Sequence, residues 1–146
     1  MNLTQAGIDL IKKYEGCRLQ AYPDPATGGD PWTIGYGCTG SDIRPGLVWT
    51  QDQANQELLK RLNILVSELN NLITDTLTDN QFNAVISLVY NIGIGAFEKS
   101  TLLKLINLGS YAKANAEFVK WDKARGTENR GLLARRQAEQ RLFGGV

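Results

Sequence analysis

Apolar side chains after residue 50 recur at steps of three and four positions, which is the spacing of one face of an α-helix. The longest stripe follows Thr50-Gln51-Asp52-Gln53, a capping-box match that marks a helix start. Its members are Ala54, Leu58, Leu62, Leu65, Leu69 and Leu72. Thr78-Asp79-Asn80-Gln81 repeats the capping pattern before a second apolar stripe, which ends near a glycine-rich turn at Gly93. Shorter helices are predicted over residues 100–108, 110–121 and 131–143.

The first fifty residues have a different pattern. Residues 4–13 are typical of a short amphipathic helix, and Gly16 is a helix stop directly after Glu15. Residues 16–37 carry turns rich in glycine and proline and predict a small antiparallel sheet. Because the sheet and the helices are separate along the chain, the predicted fold class is α+β, within a single domain of 146 residues.

The formal net charge of +1 hides an uneven distribution of charge. Residues 1–110 carry eight basic and eleven acidic side chains, whereas residues 111–146 carry eight and four. The basic end includes Arg130, Arg135, Arg136 and Arg141. These form either a solvated helix face, the interpretation we favour, or a surface for an anionic polymer such as nucleic acid or peptidoglycan. No nucleic-acid motif accompanies them, so we expect no nucleic-acid partner.

Several residue types are absent or too few for some kinds of chemistry. The chain has no His, which excludes imidazole mechanisms within it. Cys17 and Cys38 form no metal-binding motif, so neither a metal site nor a cofactor is predicted. We expect both residues to be free thiols, and the alternative is a disulfide that forms after export. The charges of Asp9, Lys12 and Lys13 in the first helix, and the lack of an apolar run of about 18 residues, argue against a signal peptide or a membrane anchor.

Two carboxylates and a hydroxyl are the candidate chemical groups. Glu15 stands at the predicted helix end, Asp24 in a Pro/Gly-rich turn and Thr33 in a predicted strand. Hydrolysis of a sugar acetal requires a protonated acid at the leaving oxygen and an ionised carboxylate on the other side of the bond. The turn should leave Asp24 wet and ionised. Carboxylates at such spacing are common on protein surfaces, so the spacing alone is weak evidence.

The surrounding residues resemble the phage lysozyme (endolysin) family, whose signature is a Glu, an Asp nine positions on, and a Thr in a T-I-G-Y-G strand. This chain has Tyr14-Glu15-Gly16, Asp24 and Trp32-Thr33-Ile34-Gly35-Tyr36-Gly37. Further matching stretches are 81–84, 90–93, 95–97, 100–103, 118–121, 131–132 and 135–139. The resemblance implies a lysozyme-like fold: a small N-terminal β-hairpin lobe (about 14–48), a long linking helix (about 50–74), and a C-terminal helical lobe (about 78–146) that includes the N-terminal helix.

The resemblance also implies roles for individual residues. Glu15 would be the acid, Asp24 the carboxylate opposite it, and Thr33 the hydroxyl that positions water. Glycan contacts are implied at Thr39, Tyr90, Asn91, Ser100 and Asn115, while Tyr90 and Trp32 have the alternative of being plain core aromatics.

The chain departs from the family pattern in two places. Asp24 and Thr33 are nine positions apart, more than is usual in the family, so the turn at residues 25–31 is predicted to hold a small insertion, and Asp30 becomes an alternative to Asp24. We prefer Asp24, because its distance from Glu15 is that of the family. Cys38 stands where the family usually has His.

The implied function is that of an endolysin muramidase, which hydrolyses the β-1,4 bond between N-acetylmuramic acid and N-acetylglucosamine and lyses the host. The alternatives are a lytic transglycosylase, which uses the substrate's own hydroxyl, and a non-catalytic glycan-binding or virion module on the same fold. Asp24 argues against the first alternative, and the presence of all three site residues argues against the second. The resemblance further implies a monomer without stable membrane insertion, kept in the host cytoplasm until a holin releases it to the periplasmic cell wall.

Overall fold

The structure is a computed structural model that describes residues 1–124 and 126–145. In chain order its elements are α1 (Gln5–Glu15), β1 (Arg18–Tyr22), β2 (Thr33–Gly35), α2 (Gln51–Leu72), α3 (Asp79–Ile92), α4 (Ile94–Glu98), α5 (Thr101–Asn107), α6 (Tyr111–Glu117), β3 (Lys123–Ala124), β4 (Thr127–Glu128) and α7 (Arg130–Gly144). A 3-10 turn, Phe118–Trp121, follows α6. The strand pair β1 and β2 precedes the run of helices from α2 to α6, and only the two-residue strands β3 and β4 lie among the later helices, which confirms the predicted α+β class.

The chain divides into two compact units. One is Lys12–Ile64, and the other joins Met1–Ile11 to the chain from Leu65 onward. The division falls inside α1 and inside α2. Lys12–Ile64 contains β1 and β2 and is called the sheet unit below; the other contains α3 to α7 and is called the helical unit.

The sheet unit is built on one antiparallel pair of strands. Arg18 lies opposite Gly35, and Tyr22 lies opposite Thr33. These paired positions are four residues apart along β1 but only two apart along β2, so β1 contains a bulge. Behind the strands lies a small core of Ala21, Ile34, Cys38 and Ile43, against which Trp32, Leu47 and Trp49 pack. This core fixes the strand ends that carry the candidate site.

Both predicted capping boxes are confirmed. The Thr50 hydroxyl accepts from the Gln53 backbone N–H at 3.1 Å, and the Gln53 side chain accepts from the Thr50 N–H at 2.8 Å. Thr78 and Gln81 make the same reciprocal pair at the start of α3. Each pair satisfies backbone donors that a helix start otherwise leaves without partners, which is why these helices begin where they do.

The helical unit has the larger core, and α3 is its centre. Eight consecutive residues of α3, from Phe82 to Val89, are buried. Such a helix is apolar around most of its circumference, as expected of one surrounded by other elements. The other fully buried large side chains of this unit include Phe97, Leu102 and Phe118.

Two short elements of this unit were missed by the sequence analysis. The glycine-rich turn predicted after Gly93 is helix α4, because burial of the Phe97 ring outweighs the low helix propensity of Gly95. Gly93 separates α3 from α4 with a φ of +90°, which favours glycine. The hairpin of β3 and β4 was also missed, since strands of two residues carry no periodic signal.

The surface interpretation of the four basic C-terminal residues is wrong for two of them, whereas Arg130 and Arg141 are exposed. Arg135 and Arg136 are buried at 3% and 0% exposure, so they lie neither on a solvated helix face nor on a surface that could bind an anionic polymer. Charged side chains are rarely buried without partners. Glu139, also fully buried, forms ion pairs with both arginines.

Candidate active site

Glu15 is the last residue of α1, and the chain turns sharply after it. The Gly16 N–H closes the helix on the Lys12 carbonyl at 3.0 Å, and Gly16 has a φ of +66°. The half-buried Glu15 carboxylate faces the backbone of Gly37: a Cβ at that position would stand 2.9 Å from Glu15 Oε1. Glycine at position 37 therefore lets the carboxylate approach the turn after β2.

Tyr22 at the end of β1 lies in the electrostatic field of the same carboxylate. Burial raises the pKa of Tyr22, the Arg18 guanidinium lowers it, and the charge of Glu15 raises it further. The Arg18 guanidinium stands 4.6 Å from the centre of the Tyr22 ring, in cation–π geometry. Neither residue was identified from the sequence as part of the site, and the burial along β1, exposed over its first three residues and buried at Ala21, does not alternate in a way that could have indicated them.

Asp24 follows β1 by two residues and begins a turn closed by its own hydrogen bonds. The Asp24 N–H donates to the Gly29 carbonyl at 2.9 Å, and the Gly28 N–H donates to the Asp24 carbonyl at 2.8 Å. The Asp24 carboxylate accepts from the Ala26 N–H at 3.3 Å. The extra residues of the predicted insertion are thus absorbed within the turn. Asp24 is half-buried, whereas Asp30 is exposed.

Thr33 begins β2 directly opposite Tyr22 in the ladder. Its hydroxyl donates to the Pro31 carbonyl at 3.5 Å, the long limit of a hydrogen bond, so it is only weakly held. Since Asp24 is two residues beyond Tyr22, the register places Asp24 and Thr33 at the same end of the sheet. Glu15 lies near this end of the sheet as well, because its charge acts on Tyr22 and its carboxylate is close to Gly37.

The turn after β2 is fixed from both sides. Ile34 and Cys38 exchange backbone hydrogen bonds of 3.0 and 2.8 Å around Gly35-Tyr36-Gly37. The Tyr36 hydroxyl donates to Asn55 at 3.4 Å and accepts from Gln51 at 3.1 Å. Thr39, a predicted glycan contact, is exposed directly after this turn. Cys38 is buried and Cys17 is half-buried, and the two are not joined by a disulfide.

The other predicted glycan contacts lie in the helical unit. Tyr90 is half-buried and Asn91 exposed, in the last turn of α3, and the Asn91 carbonyl oxygen accepts from Arg136 at 2.9 Å. Ser100 is buried as the N-cap of α5: its hydroxyl donates to the Phe97 carbonyl at 2.6 Å and accepts from the Leu103 N–H at 3.1 Å. Asn115 is half-buried, and its backbone carbonyl accepts from Gln140 at 2.9 Å.

The described residues, 1–124 and 126–145, lack two kinds of feature. No group of three or more His, Cys, Asp or Glu side chains there could hold a metal ion. No helix within these ranges has the length and hydropathy needed to cross a membrane.

Comparison with known proteins finds close relatives. Residues 12–139 match the family model described as phage lysozyme. The endolysin of Acyrthosiphon pisum secondary endosymbiont phage 1 is 46% identical over 147 residues, and the alignment covers 98% of each chain. The structure of the endolysin from Escherichia coli O157:H7 phage FAHEc1 superposes with a TM-score of 0.86 at 35% identity, covering 98% of this chain and 93% of that one. The muramidase domain of SpmX from Asticaccaulis excentricus gives a TM-score of 0.87 at 37% identity, covering 97% of each chain.

Proposed function

The chain belongs to the phage lysozyme family, and we propose that Glu15 and Asp24 are the two carboxylates of its glycosidase reaction. Its fold is lysozyme-like, and it is an endolysin with lysozyme activity, a glycoside hydrolase acting on peptidoglycan. The bond that we propose to be cleaved is the β-1,4 linkage from C1 of N-acetylmuramic acid to O4 of N-acetylglucosamine.

In the proposed reaction, Glu15 donates a proton to the glycosidic oxygen as the bond from C1 to O4 breaks. The leaving sugar departs with a free 4-hydroxyl. Positive charge develops at C1, and a water molecule attacks this carbon from the opposite face of the ring. Asp24 accepts the proton of that water, and the weakly held Thr33 hydroxyl orients it. Glu15 is then ionised and Asp24 protonated, and exchange with solvent restores both groups.

One observation supports this assignment most strongly: the closeness of Glu15 Oε1 to position 37, where a Cβ would stand only 2.9 Å away. A surface glutamate has no need of such an approach. Here the half-buried carboxylate is held against the turn that follows Thr33, on the strand paired with the strand leading to Asp24. An acid, a second carboxylate and a hydroxyl in one neighbourhood are what acetal hydrolysis requires.

Glu15→Gln tests the proposal, because glutamine keeps the shape of the side chain but cannot donate the proton. Lysis of Gram-negative cells with a permeabilised outer membrane should fall at least about a hundredfold. Circular dichroism and the melting temperature should stay those of the parent. Glu98→Gln, at an exposed glutamate of α4, is the matched control and should lyse at the parental rate. Parental lysis by folded Glu15→Gln would show that another residue is the acid.

The transglycosylase alternative is not favoured, since the relatives are lysozymes and endolysins. We also propose that the chain is a single lysozyme-like domain. Thr39 in the sheet unit is a proposed glycan contact, and so are Tyr90, Asn91 and Asn115 in the helical unit. Ser100, whose hydroxyl caps α5, is a further proposed glycan contact.

For release, we propose a monomer stored in the host cytoplasm until a holin opens the inner membrane to it. Expression alone should then leave cells intact, and chloroform, which permeabilises the inner membrane, should cause prompt lysis. Lysis on expression without any permeabilising agent would contradict the dependence on a holin. Sedimentation at micromolar concentration should give the mass of one chain.

A further inference from the structure

Helix α7 carries a cluster of charged side chains that the proposed chemistry does not use. Arg135, Arg136 and Glu139 are buried, at exposures of 3%, 0% and 0%. Arg136 Nε stands 2.8 Å from Glu139 Oε1, and Arg135 Nε stands 3.4 Å from Glu139 Oε2. The Ser87 hydroxyl of α3 also donates to Glu139 Oε2. All of these residues belong to the helical unit.

Stability alone does not explain this cluster. Each buried ion costs several kcal/mol of lost hydration, and apolar side chains of similar volume often stabilise a core as well or better. Burial raises the pKa of Glu139, while Arg136, Ser87 and Arg135 oppose that rise. The cluster also holds two guanidinium groups against one carboxylate, so further acceptors must meet the remaining N–H groups. A role in placing other groups is a better reason for keeping it.

The two arginines direct their remaining donors to different acceptors. Arg135 donates from Nη2 to the Ser87 backbone carbonyl at 2.9 Å, an acceptor that belongs to α3 itself. Arg136 donates from Nη2 to Oδ1 of Asn91 at 2.9 Å, and Asn91 is exposed. Arg136 therefore joins a fully buried ion pair to a side chain at the surface.

This contact fixes the orientation of the Asn91 amide. A guanidinium group can only donate hydrogen bonds, so the Asn91 atom facing it must be the carbonyl oxygen. The planar amide then directs Nδ2, with its two N–H donors, away from Arg136. Without that anchor, an exposed asparagine would lose side-chain conformational entropy whenever it bound a ligand.

We propose that Arg136, held by Glu139, is a positioning residue that orients Asn91 so that its amide N–H groups donate to the glycan. This inference rests on the proposed function, in which Asn91 is a glycan contact. The acetamido carbonyls and the hydroxyls of the murein sugars are oxygen acceptors of the kind such donors bind. The cluster acts on substrate binding through Asn91 and does not touch the reacting atoms.

Two variants of Asn91 separate positioning from a structural role. Asn91→Asp keeps an oxygen for Arg136 but has no N–H donor, so the melting temperature should be kept while KM for a soluble murein oligosaccharide rises about tenfold. The value of kcat should stay within about twofold of the parent. Asn91→Ala removes both groups and should raise KM to a similar extent while lowering the melting temperature. An unchanged KM in both variants would overturn the inference, although hydrolysis by Glu15 would still stand.

The two arginines provide a matched pair of variants. Arg136→Lys and Arg135→Lys both weaken the pairing with Glu139, and both should lower the melting temperature. Only Arg136→Lys should raise KM, because Arg136 donates to Asn91, whereas Arg135 donates to the Ser87 backbone carbonyl. In the Asn91→Ala background, Arg136→Lys should raise KM no further, since its effect acts through a side chain already removed.

The contrary outcomes are equally specific. Equal KM changes in the two lysine variants, or an Arg136→Lys effect that persists in the Asn91→Ala background, would show that the cluster acts by another route. If Arg136→Lys does not fold, the comparison of Asn91→Asp with Asn91→Ala decides alone. Failure of the parent enzyme to release reducing sugar would instead contradict the proposed function.

Discussion

In the sheet unit the carboxylates of Glu15 and Asp24 are half-buried and are placed by backbone turns, whereas in the helical unit Arg136 and Glu139 are fully buried and are placed by each other. A group that exchanges protons with substrate must be reachable, so its position has to come from the backbone around it. A buried ion pair cannot reach substrate and can act only through what it holds. The two units thus use charge in different ways, and each use predicts a different response to mutation.

The sharpest test of the sheet unit is the choice between its two turn aspartates. Asp24→Asn should reduce turnover at least about a hundredfold, because the amide cannot accept the proton of the attacking water. Asp30→Asn should leave turnover within a few-fold of the parent, since Asp30 is exposed and its backbone carbonyl, not its carboxylate, accepts from Thr27. Initial rates of reducing-end release from purified peptidoglycan measure both, and the reverse ranking would assign the second carboxylate to Asp30.

A smaller effect tests whether a backbone turn positions Glu15. Gly37→Ala should lower kcat about tenfold, because the new Cβ would stand 2.9 Å from Glu15 Oε1 and displace it. Gly46→Ala is the matched control: its φ of +87° resembles the +80° of Gly37, but no atom lies within 4 Å of its added Cβ.

Both glycine variants should lose stability, at about 1 kcal/mol for the left-handed backbone. Only Gly37→Ala should lose activity beyond this common effect. Equal losses of kcat in both variants would mean that backbone strain, and not the displacement of Glu15, accounts for the result. Thermal melts run beside the kinetics separate these two quantities.

The smallest expected effect concerns Asp75, a half-buried charge of the helical unit, which contrasts with the fully buried cluster there. The Tyr111 hydroxyl donates to Asp75 at 2.7 Å. This hydrogen bond and the Thr76 N–H lower the pKa of Asp75 below 3.8, and the Asp75 carboxylate raises the pKa of Tyr111 above 10.0. The hydrogen bond between Tyr111 and Asp75 therefore stabilises the fold fully above the unfolded pKa of Asp75, and this stabilisation is lost as the pH falls through the folded pKa of Asp75. At the alkaline end it is lost as the pH rises through the folded pKa of Tyr111.

Tyr111→Phe should accordingly lower the melting temperature by a few degrees or less at pH 7, since pairs at the surface contribute little. The deficit should shrink as the pH falls below the unfolded pKa of Asp75 and through its lowered folded pKa, because the protonated carboxyl no longer accepts as an anion. The edge-on contact of ring 111 with Phe143 is available to phenylalanine as well. A deficit that is constant from pH 2 to pH 7 would show that packing, and not the hydrogen bond to the carboxylate, is responsible.

The sequence predicted the structure best where residues close together along the chain determine it. The Ser/Thr-x-x-Gln boxes at Thr50 and Thr78 identified two helix starts, because a capping box is satisfied within four residues. The helix end at Gly16 was likewise predictable. The short helix α4 was not, since its stability comes from burial of Phe97, a tertiary contact that local propensity does not contain.

The same limit applies to charged residues. Glu15, Asp24 and Thr33 could be selected because they stand in a recognisable stretch of sequence, and their roles remain predictions. Arg135 and Arg136 were interpreted as surface residues because arginines usually are. Their partners Ser87 and Asn91 lie more than forty positions away along the chain, at separations of 48 and 45. No pattern within α7 indicates that pairing.

In the proposed reaction water attacks C1 while Glu15 protonates the leaving oxygen. The stereochemistry of the first product tests this step most directly. A water placed between Asp24 and the sugar requires an inverting reaction. Proton NMR of a fresh digest of a soluble murein oligosaccharide, recorded before mutarotation, should therefore show the α-anomer at the new reducing end. A β-anomer would contradict the claim and indicate a covalent intermediate, and a 1,6-anhydro end would contradict hydrolysis itself.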